Sequence, residues 1–382
     1  MRIALFCHTL RSCWNHGNAH FLRGVVTELA TRGHDVQVFE PEDSWSYSNL
    51  IRAEGRDYAE EFRTTYPLLN IATFAERSLD LDHALAGADL VLVHEWNAPS
   101  LARRIAAHRK SHDYLLLFHD THHRSVTDPA MPDVTGFDGV LAFGESVSEH
   151  YRRKGWTGRV WTWHEAADPR VFFPRPSSAG RPLDVVWIGN WGDGERTEEL
   201  REFFIDPVRE LGLRARVYGV RYPPEALRLL DESGIEFGGW IPNFRVPPVF
   251  AQARLTVHIP RRPYTRELPG IPTIRVFEAL ACGIPLISAP WNDCEELFTA
   301  GEDFLIAQDK AQVKRFMHLL LTDAKSARAL ADHGRQTILQ RHTCRHRVDQ
   351  LLRICEELGA ECAAARPTMP ASHPAMPMEV MA

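Results

Sequence analysis

The segment Glu267-Leu-Pro-Gly-Ile-Pro-Thr-Ile-Arg-Val-Phe-Glu278-Ala-Leu-Ala-Cys-Gly283-Ile-Pro285-Leu-Ile-Ser288 reads as a short helix delivered straight into a buried strand. Pro272 suits a first helical position, where its missing N–H costs nothing, and Gly283 suits the residue just past a helix end. The spacing predicts a helix over about 272–282 and a strand over 285–288. The N-terminus of such a helix turns free N–H groups and the positive end of its dipole outward, which suits a phosphate. Arg275 and Glu278 stand three residues apart and share one face. A guanidinium for phosphate beside a carboxylate for ribose hydroxyls is one sensible division of labour. The same spacing also describes an ordinary surface ion pair worth roughly 0.2–0.5 kcal/mol.

Working outward, short apolar runs alternate with helical patterns through most of the 382 residues, the rhythm of βα units and parallel sheets. The expected strands are 3–7, 36–39, 90–93, 114–118, 140–143 and 160–163, then 184–189, 216–218, 255–259 and 285–288. Residues 168–182 hold four prolines in fifteen positions and no periodicity, so they mark a boundary. The expected organisation is an N-terminal Rossmann-like domain over 1–168, a linker over 169–182 and a second Rossmann-like domain over 183–345. A closing helix over 346–362 and a proline-rich, disordered tail over 363–382 follow. Two open parallel sheets bind ligands beyond the C-terminal ends of their strands, so chemistry is expected in a cleft between them.

Apolar residues make up 44% and charged residues 25%, the mix of a soluble globular protein. A formal net charge of -6 argues against a nucleic-acid partner, and the arginines of 328–347 lack the interleaved aromatics such a surface would carry. The seven cysteines show no zinc-knuckle spacing and fall largely in apolar stretches, which predicts a reducing, cytoplasmic address. No run is long enough to span a membrane.

Glu278-Ala-Leu-Ala-Cys-Gly-Ile-Pro-Leu-Ile-Ser288 resembles the nucleotide-sugar signature of family 4 retaining glycosyltransferases. Ala142-Phe-Gly-Glu-Ser146, Val160 to Pro174 and Trp187-Ile-Gly189 resemble further pieces of that family in the same order. Arg23-Gly24, Glu28-Leu29 and Arg32-Gly-His-Asp-Val36, with Arg275 to Gly283, are similar to the glycosyltransferase-like proteins of the CgeB type. The resemblance implies a GT-B fold and a hexosyl-type glycosyltransferase. It also implies a nucleotide-sugar donor as cosubstrate with no further cofactor, an unidentified acceptor and a retaining outcome without a metal. Donor contacts are expected from Arg275 and Glu278, with Arg196, Arg261 or Arg262 on the diphosphate and the loop around Gly17 offering backbone N–H groups. Two positions depart from the family: Gly270 stands where its first glutamate belongs, and Asn190 where an arginine follows the glycine.

In the N-terminal half two strand exits carry titratable groups, His94-Glu95-Trp96-Asn97 and His119-Asp120-Thr121-His122-His123. Adjacent residues on a strand exit point in opposite directions, and no second histidine follows at helical spacing, so no metal site is expected there. The resemblance implies that His119 sits beside the donor sugar, with Asp120 second. Were the reaction inverting, Asp120, His119 or Glu95 would be the base. Capping of the following turn is the plainer role for both. Residues 40–82, with Trp45, Tyr47, Tyr58, Phe62 and Tyr66, are the expected acceptor surface or else irregular packing. An epimerase acting on a sugar nucleotide and a non-catalytic nucleotide- or carbohydrate-binding module remain the rival readings.

Overall fold

The computed structural model describes residues 1–55, 57–121, 133–156, 158–177, 180–192 and 194–359. His122 and His123, and the tail expected over 363–382, lie outside these. Seven parallel strands form the first sheet: β1 (Arg2–Phe6), β2 (Asp35–Pro41), β3 (Asn70–Phe74), β4 (Leu90–His94), β5 (Leu115–Asp120), β6 (Gly139–Ala142) and β7 (Arg159–Thr162). Their order is β3-β2-β1-β4-β5-β6-β7, with Ile3 beside Val36 on one side and Leu90 on the other. Six more parallel strands form the second sheet: β8 (Leu183–Ile188), β9 (Ala215–Tyr218), β10 (Ile235–Phe237), β11 (Ala253–His258), β12 (Leu286–Ser288) and β13 (Leu305–Ile306). Their order, β10-β9-β8-β11-β12-β13, repeats the winding of the first. Both sheets therefore reverse direction beside their first strand, which is where such folds bind ligands.

The ten expected strands are all present within a few residues. The three not expected, β3, β10 and β13, are all edge strands; the fourth edge, β7, was expected. Edge strands are covered on fewer sides, so Asn70–Phe74 and Ile235–Phe237 lack the continuous apolar run that marks β4 or β11. The helix read as 272–282 is Ile274–Ala281, with Thr273 as its N-cap, so Pro272 lies outside it rather than at its first position.

The last described helix, Cys344–Glu357, crosses back from the second sheet and packs on Ala19–Thr31 of the first. It begins two residues before the expected 346. Arg32 fastens the pair, reaching Glu28 at 2.9 Å and Asp349 at 2.6 Å. Trp163, fully buried, donates its indole N–H to the Arg347 carbonyl at 2.9 Å.

Residues 45–65 form two helices, Trp45–Glu54 and Asp57–Thr65. Tyr58, Phe62 and Tyr66 are buried rather than presented to an acceptor, and Tyr58 and Tyr66 pack on Phe244 of the second domain at 5.6 and 6.2 Å. The buried Arg23 lies over the Phe62 and Tyr66 rings at 5.1 Å and donates to the Leu10 carbonyl at 2.6 Å. Of that aromatic set Trp45 alone is well exposed, at 41%.

Gly24 sits where the two helices meet. A Cβ there would overlap Cys344 Sγ and stand 2.9 Å from Asp168 Cβ. Gly24→Ala is therefore expected to cost about 1–3 kcal/mol through overpacking, although alanine is the better helix former. The measurement is the urea midpoint of the variant against the parent; an unchanged or higher midpoint would show that the two helices part without cost.

Candidate active site

A cavity of about 420 Å³ lies between the C-terminal edges of the two sheets, within the usual range of ~300–1,000 Å³ for small-molecule sites. From the first domain it is walled by Asn15 to Asn18 after β1, Trp96 after β4, Thr121 after β5 and Phe143 after β6, with Glu165 on the passage to the second domain. The second domain supplies Gly189 and Asn190 after β8, Gly219 and Arg221 after β9, and Arg261 after β11. Pro272 to Arg275, at the start of the Ile274–Ala281 helix, complete the wall.

Three of the expected cations meet here. Arg275, Arg196 and Arg261 all line the cavity. Arg196 is buried; it donates to the Ile259 carbonyl at 3.0 Å, while its Nε has no partner. Burial, and next the charge of Arg261, lower its pKa to about 10. Arg262 is not at the wall. It turns to Glu199 at 2.7 Å and Glu198 at 2.9 Å, because it opens the Arg262–Arg266 helix on the side facing Thr197–Leu200.

Glu278 is fully buried and does not reach the cavity. Its carboxylate is held by Arg275 and by Asn243 Nδ2 at 3.1 Å, two side chains that do line it. In this arrangement Glu278 orients Arg275 and Asn243 rather than meeting a ribose directly. Burial raises its pKa to about 7 against the pull of Arg275.

The two departures from the family pattern have structural reasons. Asn190 spans the cleft, bonding Asn15 of the first domain through Nδ2 and accepting from the Val220 N–H through Oδ1 at 3.1 Å. Close by, a Cβ on Gly17 would stand 3.3 Å from Ile274 Cγ2, so the loop after β1 lies against the start of the Ile274–Ala281 helix. Gly270 has φ +90°, and a Cβ there would be 2.6 Å from Cys294 Sγ. Glu295 lies beside it and crosses to the first domain, accepting from the Glu145 N–H at 2.9 Å and pairing with His164 at 3.0 Å. A glutamate at 270 would need both a conformation and a volume that are unavailable.

The expected trio His119, Asp120 and Glu95 is not on the wall. β5 runs on through Asp120, so His119 and Asp120 are still strand residues with buried side chains. His119 packs on Trp163 at 4.8 Å and His94 at 5.2 Å with both ring nitrogens unpartnered, and burial lowers its pKa to about 3. Asp120 accepts from the Tyr151 hydroxyl at 2.8 Å. Glu95 accepts from the N–H and hydroxyl of Thr121 at 2.8 and 2.9 Å. The loop proper begins at Thr121, and Thr121 is the residue that meets the cavity.

Glu165 is a cavity-wall residue that the reading of strand exits passed over. It accepts from Asn18 Nδ2 at 2.8 Å, and burial, then the charge of Glu278, raise its pKa to about 8. It lies beyond the end of β7, in the class of position that the strand-exit rule points to. Away from the cleft, Asp82, His108 and His112 bring three ligand-type atoms within 4.8 Å of one another. They lie near the turn that enters β5, and the two rings stack 3.8 Å apart at 3°. Parallel imidazoles cannot both aim a lone pair at one ion, and the cavity draws on none of the three.

Residues 196–353 match the model of a family described as glycosyl transferase-like. No curated protein sequence matches the chain. Sucrose-phosphate synthase from Thermosynechococcus elongatus superposes with a TM-score of 0.64 at 15% identity, covering 94% of this chain and 99% of that one. HepE of Anabaena, solved with UDP and glucose, gives 0.64 at 14% identity over 93% of this chain and 99% of that one. An alpha-glucosyltransferase solved with UDP and a 13-mer DNA gives 0.66 at 11% identity over 93% and 99%. At such identities the likeness is one of architecture. Among the described residues no helix is long and apolar enough to cross a membrane. With two doubly wound parallel sheets facing one cleft, the chain has the GT-B fold.

Proposed function

We propose that the protein is a glycosyltransferase that moves a sugar from a nucleoside-diphosphate sugar to an acceptor. The observation that carries this reading is the convergence of Arg275, Arg196 and Arg261 with the start of the Ile274–Ala281 helix on one cavity between the sheets. Such a wall fits a diphosphate: fixed cations and N–H dipoles stabilise the charge that develops as it departs, and each such donor is worth roughly 10²–10³ in rate. Tyr218 and Trp240 flank the second-domain end of the cavity and offer faces for a base. The sugar then lies toward the first domain, between the loop after β1 and Glu165. The family match over 196–353 and the sugar-nucleotide complexes of the structural neighbours support the same assignment. A hexosyl donor and retention at the anomeric carbon are read from the family likeness. In this reading the arginines carry the charge neutralisation that a metal supplies in other transferases.

The structure also favours a second reading at one point. With Gly270 excluding a side chain from the place of the family's first glutamate, a module that binds the nucleotide sugar without turning it over would look the same on the second domain. Release of nucleoside diphosphate from a sugar nucleotide separates the two.

A thermal-shift screen of nucleoside diphosphates and their hexose conjugates tests the site. At 100 times its dissociation constant a ligand adds roughly 2.7 kcal/mol of stability. Arg275→Ala is expected to remove most of that shift, and an undiminished shift in the variant would sink the assignment. Affinity for the diphosphate should also depend on pH through Glu165. Its carboxyl is neutral below about pH 8 and negative above it, beside Arg275. From pH 7 to 9 the affinity is expected to fall by about tenfold, the equivalent of ~1.4 kcal/mol of added repulsion. Calorimetry on Glu165→Gln should show a shallower profile over that range, the remaining slope coming from Glu278 behind Arg275, and equal slopes in the two proteins would refute the role of Glu165.

A further inference from the structure

The cavity wall of the first domain carries one acidic side chain among the described residues, Glu165. Its setting is unusual in three ways. Asn18 occupies the N-cap position of the Ala19–Thr31 helix but makes no side-chain capping bond there. Its amide N–H instead donates to Glu165 Oε1 at 2.8 Å. The second carboxyl oxygen, Oε2, has no partner and is not sealed from the cavity. A carboxyl that is almost wholly buried costs free energy unless its oxygens are bonded, so this half-satisfied group is poised for a polar partner arriving from the cavity.

On the second-domain wall the acidic side chain among the described residues is Glu195, which pairs with Arg261 at 3.2 Å, so a ligand near Arg275 meets its other acidic group, Glu165, from the first domain. Glu165 lies near enough to Arg275 and Glu278 for their charges to act on it. A diphosphate at Arg275 thus places the sugar it carries one linkage away, on the Glu165 side.

We infer that Glu165 binds a hydroxyl of the donor's sugar through its free oxygen, held in place by Asn18, and so discriminates among the hexoses the site accepts. This rests on the donor-site reading above, and it assigns a sugar contact to the first-domain wall of the cavity. The carboxyl is neutral near pH 7, able to donate as well as accept. A site built to bond a sugar hydroxyl rejects a sugar lacking it, because the protein group is then left unpaired.

The test compares UDP, GDP, ADP and dTDP with their glucose, galactose, mannose and N-acetylglucosamine conjugates by calorimetry at pH 7. The readout is the gain in affinity that the sugar adds to its own diphosphate. In Glu165→Ala that gain is expected to drop by about tenfold or more, the weight of a hydrogen bond to a buried group, with affinity for the bare diphosphate little changed. Glu165→Gln keeps the shape, one donor and one acceptor, so it should retain much of the gain and guards against a merely misfolded alanine variant. A diphosphate that binds while both variants keep the full sugar gain would overturn the role of Glu165 and leave the donor site standing. Equal loss of diphosphate and conjugate affinity in a folded Glu165→Ala would also overturn it, since that is the mark of a structural residue. Failure of every diphosphate to bind the parent would overturn the donor site itself, and this inference with it.

Discussion

The structure depends on one junction, where the chain's two crossings between the sheets are bonded to each other. The first crossing leaves β7 and passes Trp163 to Asp168; the second returns through His342 to Cys344. Ala167 donates to the His342 carbonyl at 3.0 Å and accepts from the Cys344 N–H at 2.9 Å, a single parallel bridge that ties exit to return. Asp168 is held from the first domain by His20 at 3.2 Å, and Arg170 reaches back to the Gly24 carbonyl at 3.0 Å. Two separately wound sheets have no intrinsic reason to keep a fixed relation. Pinning both crossings against one helix limits them to motion about that seam. The missing side chain of Gly24 permits the seam to be this close, which makes a residue far from the chemistry a condition of the cleft.

Across the cleft the two domains also meet through polar and apolar contacts. Asn15 meets Asn190, Gly17 lies against Ile274, and Glu295 reaches His164 and the helix that begins at Glu145. Desolvation sets the charge balance between them. A carboxylate taken out of water loses hydration that a neighbour must replace, and for Glu165 the loss outweighs the help from Asn18 and Arg275. With Glu165 neutral, the arginine side chains leave the cavity a net cation near neutral pH, as an anionic ligand requires. Glu278 sits behind that wall and governs it from there, fixing Arg275 and Asn243 instead of spending its oxygens on a ligand.

Much of this was legible from the residues. Continuous apolar runs gave up the central strands of both sheets, because a strand covered on both faces needs nothing else. The edge strands β3, β10 and β13 were not legible, since they are short or carry exposed polar residues, whereas the edge strand β7 keeps enough apolar residues to be read. In the site, the second-domain helix could be read from Pro272, Gly283 and the spacing of Arg275 and Glu278, all local features. The first-domain contribution could not be read with the same certainty. Whether His119 or Thr121 meets the cavity turns on how far β5 runs before its loop begins, and both strand residues His119 and Asp120 are covered by their neighbours. His119 and Asp120 fall on the wrong side of that boundary, His119 packed against Trp163 and Asp120 bonded to Tyr151.

Gly270 and Glu165 make the same point about departures from a family pattern. Read along the chain, a glycine in place of a glutamate is a loss. In space, the φ of +90° and the nearness of Cys294 show a backbone committed to glycine, and the vacated corner is used by Glu295 to brace the first domain. Glu165 stands two residues before Ala167, the very residue through which the two crossings are bonded. The seam that fixes the domains therefore also fixes the one carboxyl that the described residues of the first domain place on the cavity wall. Its alignment with Arg275 is inherited from the fold, with no separate device needed to hold it.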